Sequence, residues 1–178
     1  MCQVFKMDNI ILYDFIFSKE DLDPYREMYN DWEGKPPKNG KREVVGLGNN
    51  YPPPDKIIKT YGDAMPEKVA NEFYSLFSLS GYSIDAKLSL YNKTESYGWH
   101  CDQDGTVHHP KNPYWTRNIS SITYLNDDYE GGETEFIDRV IKPVSGKTLV
   151  FPSFFLYPHR GCPVKSGIKK ILVMHFWC

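Results

Sequence analysis

The chain has 178 residues, 40% of them hydrophobic and 25% charged, an ordinary balance for one soluble domain with a sizeable core, so residues 1–178 are read as a single domain. Its net charge of -2 offers no basic stripe, which argues against a nucleic-acid partner and against an anionic membrane surface. Four cysteines (Cys2, Cys101, Cys162, Cys178) without a C-x-x-C pair, and a start without a basic leader ahead of a cleavable apolar stretch, predict a reduced, cytoplasmic setting.

The predicted elements begin with residues 9–17, an apolar run broken by Asp14 that reads as a buried strand and is too short for a membrane span. Asp23-Pro24 puts an acidic cap before a proline and predicts a short helix to about Trp32. Residues 34–62, rich in Gly, Pro, Asn and Lys, show no period and predict a long loop, either a substrate lid or a solvated connector. Residues 66–80 form the clearest helix: Val69, Phe73, Leu76 and Phe77 recur on one face for packing on a sheet, and Gly81 stands at the end as a cap.

From Tyr82 the period becomes two. Ile84, Ala86, Leu88 and Leu90 share one face, while Ser83, Asp85, Lys87, Ser89 and Tyr91 share the other. Strands are predicted at 119–125, 133–137, 148–151, 154–157 and 168–177, separated by turn signals such as Asn126-Asp127-Asp128 and Gly131-Gly132. Helices followed by many short strands predict a mainly β fold, a sandwich or jelly roll buttressed by N-terminal helices. Residues 1–81 then hold the first strand, helices and loop, and residues 82–178 the jelly-roll core.

The chemistry concentrates on His100-Cys101-Asp102. In an extended strand the histidine and the aspartate point to one side, two corners of a metal site that a second histidine would complete. The pair alone is no more than chance supplies in a chain of this composition. Cys101, on the opposite face, reads as packing. His108 and His109 lie in a polar loop and read as solvated, and His175, inside the last apolar strand, reads as a satisfied core histidine. His159 is different, because it ends a predicted strand and precedes a turn, an arrangement that holds a ligand and leaves room for substrate. Lys169 and Lys170 open an apolar strand, so alternation turns one of them inward, where an ammonium needs an anionic partner.

Taken together, the stretches 91–102, 117–126, 129–136, 141–151 and 159–169 resemble, in order and spacing, the 2-oxoglutarate/Fe(II)-dependent dioxygenases of the prolyl 4-hydroxylase type. The resemblance implies a double-stranded β-helix core. It implies an iron triad of His100, Asp102 and His159, with Lys169 and Tyr91 on the C5 carboxylate of 2-oxoglutarate and Thr134 beside them. Tyr97 and Arg117 match positions that face the peptide substrate. The implied cofactors are Fe(II), 2-oxoglutarate and O2, with ascorbate as reductant. The implied reaction is hydroxylation of a prolyl residue in a peptide or protein, with release of succinate and CO2. Lysine at position 169 matches the collagen-type enzymes, whereas relatives acting on nucleic acids use arginine there. The same chemistry on a free amino acid or other small molecule is the alternative, and a non-catalytic jelly-roll binding module is the reading from outside enzymology.

Overall fold

In a computed structural model, the structure describes residues 11–33, 43–79, 81–103 and 109–178. In chain order the elements are β1 (Leu12–Asp14), α1 (Lys19–Glu33), β2 (Glu43–Gly46), α2 (Asp55–Asp63), α3 (Glu67–Leu79), β3 (Ser83–Tyr91), β4 (Tyr97–His100), β5 (Arg117–Tyr124), β6 (Glu130–Gly131), β7 (Thr134–Phe136), β8 (Val140–Ile141), β9 (Thr148–Pro152), β10 (His159–Gly161), β11 (Val164–Ser166) and β12 (Lys169–Trp177). All pairings are antiparallel. A six-stranded sheet runs β1-β9-β5-β12-β3-β2, a four-stranded sheet β4-β10-β7-β8, and β11 pairs with β6. This is the expected jelly roll with helices on one side.

Alternation along the central strands builds two cores. Ala86, Leu88 and Leu90 of β3, with Leu172, Met174 and Phe176 of β12, turn to the helices and pack on Leu22, Tyr29, Ile57, Tyr61, Phe73 and Phe77. The other face, with Tyr91, Tyr124, Leu149, Phe151 and Ile171, packs between the sheets on Phe136 and Val164. The Tyr29 hydroxyl lies 2.7 and 2.9 Å from the carbonyl oxygens of Ser89 and Ile171, tying α1 to the β3–β12 pair. No described helix is long and apolar enough to cross a membrane.

Several local expectations need correction. The first helix starts at Lys19, because Ser18 and Asp21 form a reciprocal cap: the Ser18 N–H donates to Asp21 Oδ2 (2.8 Å) and the Asp21 N–H to Ser18 Oγ (3.2 Å). Pro24 falls inside that helix. The expected loop 34–62 holds β2 and α2 among its described residues, while residues 34–42 lie outside them. Its prolines serve as an entry to a helix, with Pro54 capping α2, and Val44-Val45 pair with β3. A continuous loop over the whole segment is therefore excluded. The buried stripe of α3 is Ala70, Phe73 and Phe77, rotated so that Val69 is 51% exposed; the Leu76 side chain lies outside the described residues. The expected first strand shrinks to an edge strand, Leu12–Asp14. Residues 154–157, expected as a strand, form a turn closed by the Tyr157 N–H on the Phe154 carbonyl (2.9 Å). Consecutive aromatic and aliphatic side chains suit a buried strand, but Phe155 and Leu156 point outward here.

Candidate active site

Two strands of the smaller sheet bring the histidines together. His159 of β10 pairs directly with His100 of β4, and Gly161 with Tyr97. Four residues of β4 thus oppose three of β10, a bulge that turns both Tyr97 and His100 inward although simple alternation would part them. The Tyr97 ring meets the His100 ring edge-on at 4.3 Å, and the two histidine rings lie 4.3 Å apart. Asp102 follows in the bend beyond β4. Ligand atoms of His100, Asp102 and His159 all lie within 4.8 Å of one another.

The hydrogen bonding of this trio fits a metal ion. Each Nδ1 faces a backbone carbonyl, His100 on Gly98 (2.8 Å) and His159 on Tyr157 (3.1 Å), so each Nδ1 carries the proton and each Nε2 presents a bare lone pair. Those lone pairs face a carboxylate, with His100 Nε2 3.3 Å from Asp102 Oδ1 and His159 Nε2 3.7 Å from Oδ2. Acceptors facing acceptors need a cation between them. Burial, reinforced by His100 and opposed by Asp102, holds the His159 imidazole below its ordinary range, so an extra proton is disfavoured there. Burial also opposes the charge on Asp102, but the imidazoles of His100, His175 and His159 outweigh it and hold the carboxyl well below the usual range. Neutral imidazoles with one ionised carboxylate are the donor set of a facial Fe(II) site.

A cavity of about 160 Å³ opens from this trio and is also lined by Tyr91, Thr134, Lys169 and Arg117. That is the volume of roughly five waters, the scale of a small organic acid. Lys169, first residue of β12 and paired with Tyr91 of β3, is the one of the two lysines that turns inward and is only 2% exposed. Its Nζ donates to the Gly132 carbonyl (2.7 Å) and lies over the rings of Tyr91 and Tyr124 at 5.2 and 5.8 Å. Gly132 adopts φ +66°, and a Cβ there would sit 3.1 Å from Lys169 Cδ, so glycine lets the turn close over the lysine stem. Thr134 Oγ1 and the Tyr124 hydroxyl are 2.6 Å apart, both buried at the same end. A buried ammonium beside Tyr91 and Tyr124, in the same cavity as the metal donors, fits a dicarboxylate.

Arg117, at the start of β5, reaches Asp85 Oδ2 (2.9 Å) and the Asp102 carbonyl (3.4 Å) and stacks over Trp177. Tyr97 is about half exposed at the mouth of the cavity. Two histidine readings change. His109 is buried, not solvated: its Nδ1 accepts from the N–H groups of Lys111 and Asn112, and its ring packs on Trp115 and Trp177. His108 lies outside the described residues. His175 is buried as expected, yet it lines the cavity between Asp85 and Asp102 and so is not a plain core residue. Contact with His175, more than with Lys87 and Arg117, takes the Asp85 carboxyl down to about 2. Tyr124, Asp85 and His175 were missed as site residues. The one available signal was the period of two, which put Asp85 on the face of Tyr91 and His175 on the face of Lys169. Cys101 turns its thiol to the Phe155 carbonyl (3.7 Å), consistent with packing.

Residues 86–178 match the family model of the 2OG-Fe(II) oxygenase superfamily. A PKHD-type hydroxylase of Shewanella frigidimarina is 25% identical over 174 residues, 89% of this chain and 74% of that protein. Another, from Synechococcus sp., is 32% identical over 85 residues, 44% of this chain and 35% of that protein. Among solved structures, a viral collagen prolyl hydroxylase of Paramecium bursaria Chlorella virus 1, in complex with 2OG, superposes with a TM-score of 0.67 at 24% identity over 95% of this chain and 96% of that one. A Pseudomonas putida prolyl-4-hydroxylase gives 0.65 at 16% identity over 96% and 94%. The fold, the matched region and the donor set agree: this chain belongs to the 2OG-Fe(II) oxygenase superfamily and is a dioxygenase.

Proposed function

We propose that this enzyme hydroxylates a prolyl residue in a peptide or protein, consuming 2-oxoglutarate and O2 and releasing succinate and CO2. The observation that carries the reading is one cavity lined by both a His-Asp-His donor set and a buried lysine. In support of the peptide substrate, the relatives named above are PKHD-type and prolyl hydroxylases, and a Trichoplax adhaerens prolyl hydroxylase of the same fold (TM-score 0.59, 16% identity, covering 97% of this chain and 86% of that one) was solved with a hypoxia inducible factor peptide fragment. The half-exposed Tyr97 at the rim suits a proline ring.

His100, Asp102 and His159 hold Fe(II), while Lys169, with Tyr91, Thr134 and Tyr124, holds the distal carboxylate of 2-oxoglutarate. Bound Fe(II) with 2-oxoglutarate supplies the oxygen chemistry, one oxygen atom of O2 ending in succinate and the other in the hydroxylated substrate. The chain's own residues position and exclude. The Gly98 and Tyr157 carbonyls fix both imidazoles, Lys169 sets how deep the co-substrate sits, and the apolar lining from Ile122, Ile171 and Val173 keeps water scarce. Tyr97 and Arg117 face the incoming peptide, and ascorbate sustains repeated turnover. Residues 1–178 act as one oxygenase domain.

The test is succinate release together with a mass gain of one oxygen on proline-rich peptides, in the presence of Fe(II), 2-oxoglutarate and ascorbate, with Asp102→Ala as the blank. Peptide-stimulated succinate absent from the blank is the expected result. Stimulation by free amino acids and by no peptide would overturn the peptidyl assignment.

A further inference from the structure

His175 is a buried polar side chain, 2% exposed, that lines the cavity but belongs neither to the metal donors nor to the residues assigned to the co-substrate carboxylate. Alternation on β12 points it between the sheets with Lys169, Ile171 and Val173, and pairing puts it opposite Asp85 on β3 and Ser120 on β5. Its Nε2 lies 3.6 Å from Asp102 Oδ1, and its Nδ1 faces Asp85 Oδ2 at 3.7 Å with no closer partner. Asp85 is held at 2.9 Å by Arg117, whose Nη1 lies 3.4 Å from the Asp102 carbonyl, so Arg117, Asp85, His175 and Asp102 lie together in one polar cluster. Filling this space calls for no polar group, since Ile171 and Val173 line the same cavity from the same strand. A buried imidazole N–H is costly unless it meets an acceptor, and Asp102 Oδ1 is one within reach.

We propose that His175 is a positioning residue for Asp102: its Nε2–H donates to the carboxylate, and the strands β3 and β5 paired on either side hold the ring in place. The inference rests on the metal-site reading of the proposed function. Its logic is parity among the three ligands. His100 and His159 each have a ring nitrogen tied to a backbone carbonyl, but Asp102 lies in the bend past the end of β4, and His175 supplies the corresponding tie from the neighbouring sheet. One carboxylate oxygen is then committed to a donor and the other stays available to the metal.

The experiment measures Mn(II) affinity by titration, and the visible spectrum of the Co(II)-loaded protein, for wild type, His175→Phe and His175→Gln. Phenylalanine keeps the volume and removes the donor, whereas glutamine keeps a donor N–H. His175→Phe is expected to weaken Mn(II) binding about 10–100-fold and to change the Co(II) spectrum, with His175→Gln recovering most of the affinity. Wild-type affinity and spectrum in His175→Phe overturn the proposal. Equal losses in both variants also overturn it, since they assign His175 to packing. Should His175→Phe fail to fold, His175→Leu decides, with the same weakening of Mn(II) binding expected and an unchanged affinity refuting the proposal. Absence of Mn(II) binding by the wild type would instead overturn the metal-site reading, and this inference with it.

Discussion

The two sheets that face each other across the cavity are built by different means. β3 and β12 of the larger sheet are nine residues long, paired along their whole length and backed by the helical core. β4, β10 and β7 of the smaller sheet have four, three and three residues, and Trp99 on its outer face is about half exposed. Long strands set Lys169, Tyr91 and His175 by register, because a slip of one residue would turn all of them to the helices. Short strands cannot do this alone. The smaller sheet fixes His100 and His159 by a bulge and two carbonyl ties, and Asp102 through the larger sheet. Continuous pairing thus supports the costly buried ammonium, while the shorter sheet carries the two histidines at the mouth.

Four predictions break or sharpen that contrast. The largest effect belongs to the smaller sheet: His159→Ala removes a proposed ligand and is expected to lower Mn(II) affinity and 2-oxoglutarate turnover by more than about 100-fold, beyond the loss of a partner that merely orients a ligand, with little change in melting temperature. Turnover at wild-type level would break the assignment of both sheets.

Next comes Lys169→Met on the larger sheet. Hydrogen bonds to charged groups contribute about 1.5–3 kcal/mol, so KM for 2-oxoglutarate should rise roughly 10–100-fold while Mn(II) affinity stays near wild type. A parallel fall in metal affinity would mean that the two ends of the cavity are not separable.

The third prediction concerns stability. Leu172→Ala, in the fully buried face of β12, is expected to cost about 2–5 kcal/mol in chemical denaturation. Val140→Ala, on the exposed edge of the smaller sheet, should stay within about 0.5 kcal/mol. Equal costs would erase the distinction between a structural sheet and a functional one.

The smallest effect is acid sensitivity. The Asp85 carboxyl is lowered to about 2 in the fold from an ordinary 3.8, so its contribution is present above pH 3.8 and is lost as pH falls towards 2. The side chain is 43% exposed, so solvent screening limits the contribution to about 1 kcal/mol or less. Asp85→Asn should show a correspondingly shallower loss of stability between pH 4 and 2, measured by denaturant midpoints.

Much of this was legible in the chain, and the parts that were not have a common cause. The period of two from Tyr82 to Tyr91 and from Lys169 to Trp177 fixed both faces of the central strands, because burial on two different surfaces leaves an alternating record. The proline run 52–54 misled, since proline marks both loops and helix entries and the buried Ile57 and Tyr61 that decide between them are too few to make a period. Val69 misled by one helical step, because sequence gives the apolar stripe but not its rotation against the sheet. Residues 154–157 misled because their apolar character reflects outward-facing Phe155 and Leu156 in a turn.

By itself the sequence determined a mainly β fold and one inward lysine of the pair Lys169 and Lys170, since local periodicity carries that information. The jelly roll, the choice of Lys169 and the trio His100, Asp102 and His159 came from the ordered resemblance to a known family. Only the tertiary structure decided which partners the trio has. The bulge that turns Tyr97 and His100 to one side, the carbonyls of Gly98 and Tyr157 on the imidazoles, and His175 between two carboxylates all depend on which strands lie side by side. Register between segments 59 to 90 positions apart leaves no trace in either segment alone, so His175 looked like core until β3 was laid against it.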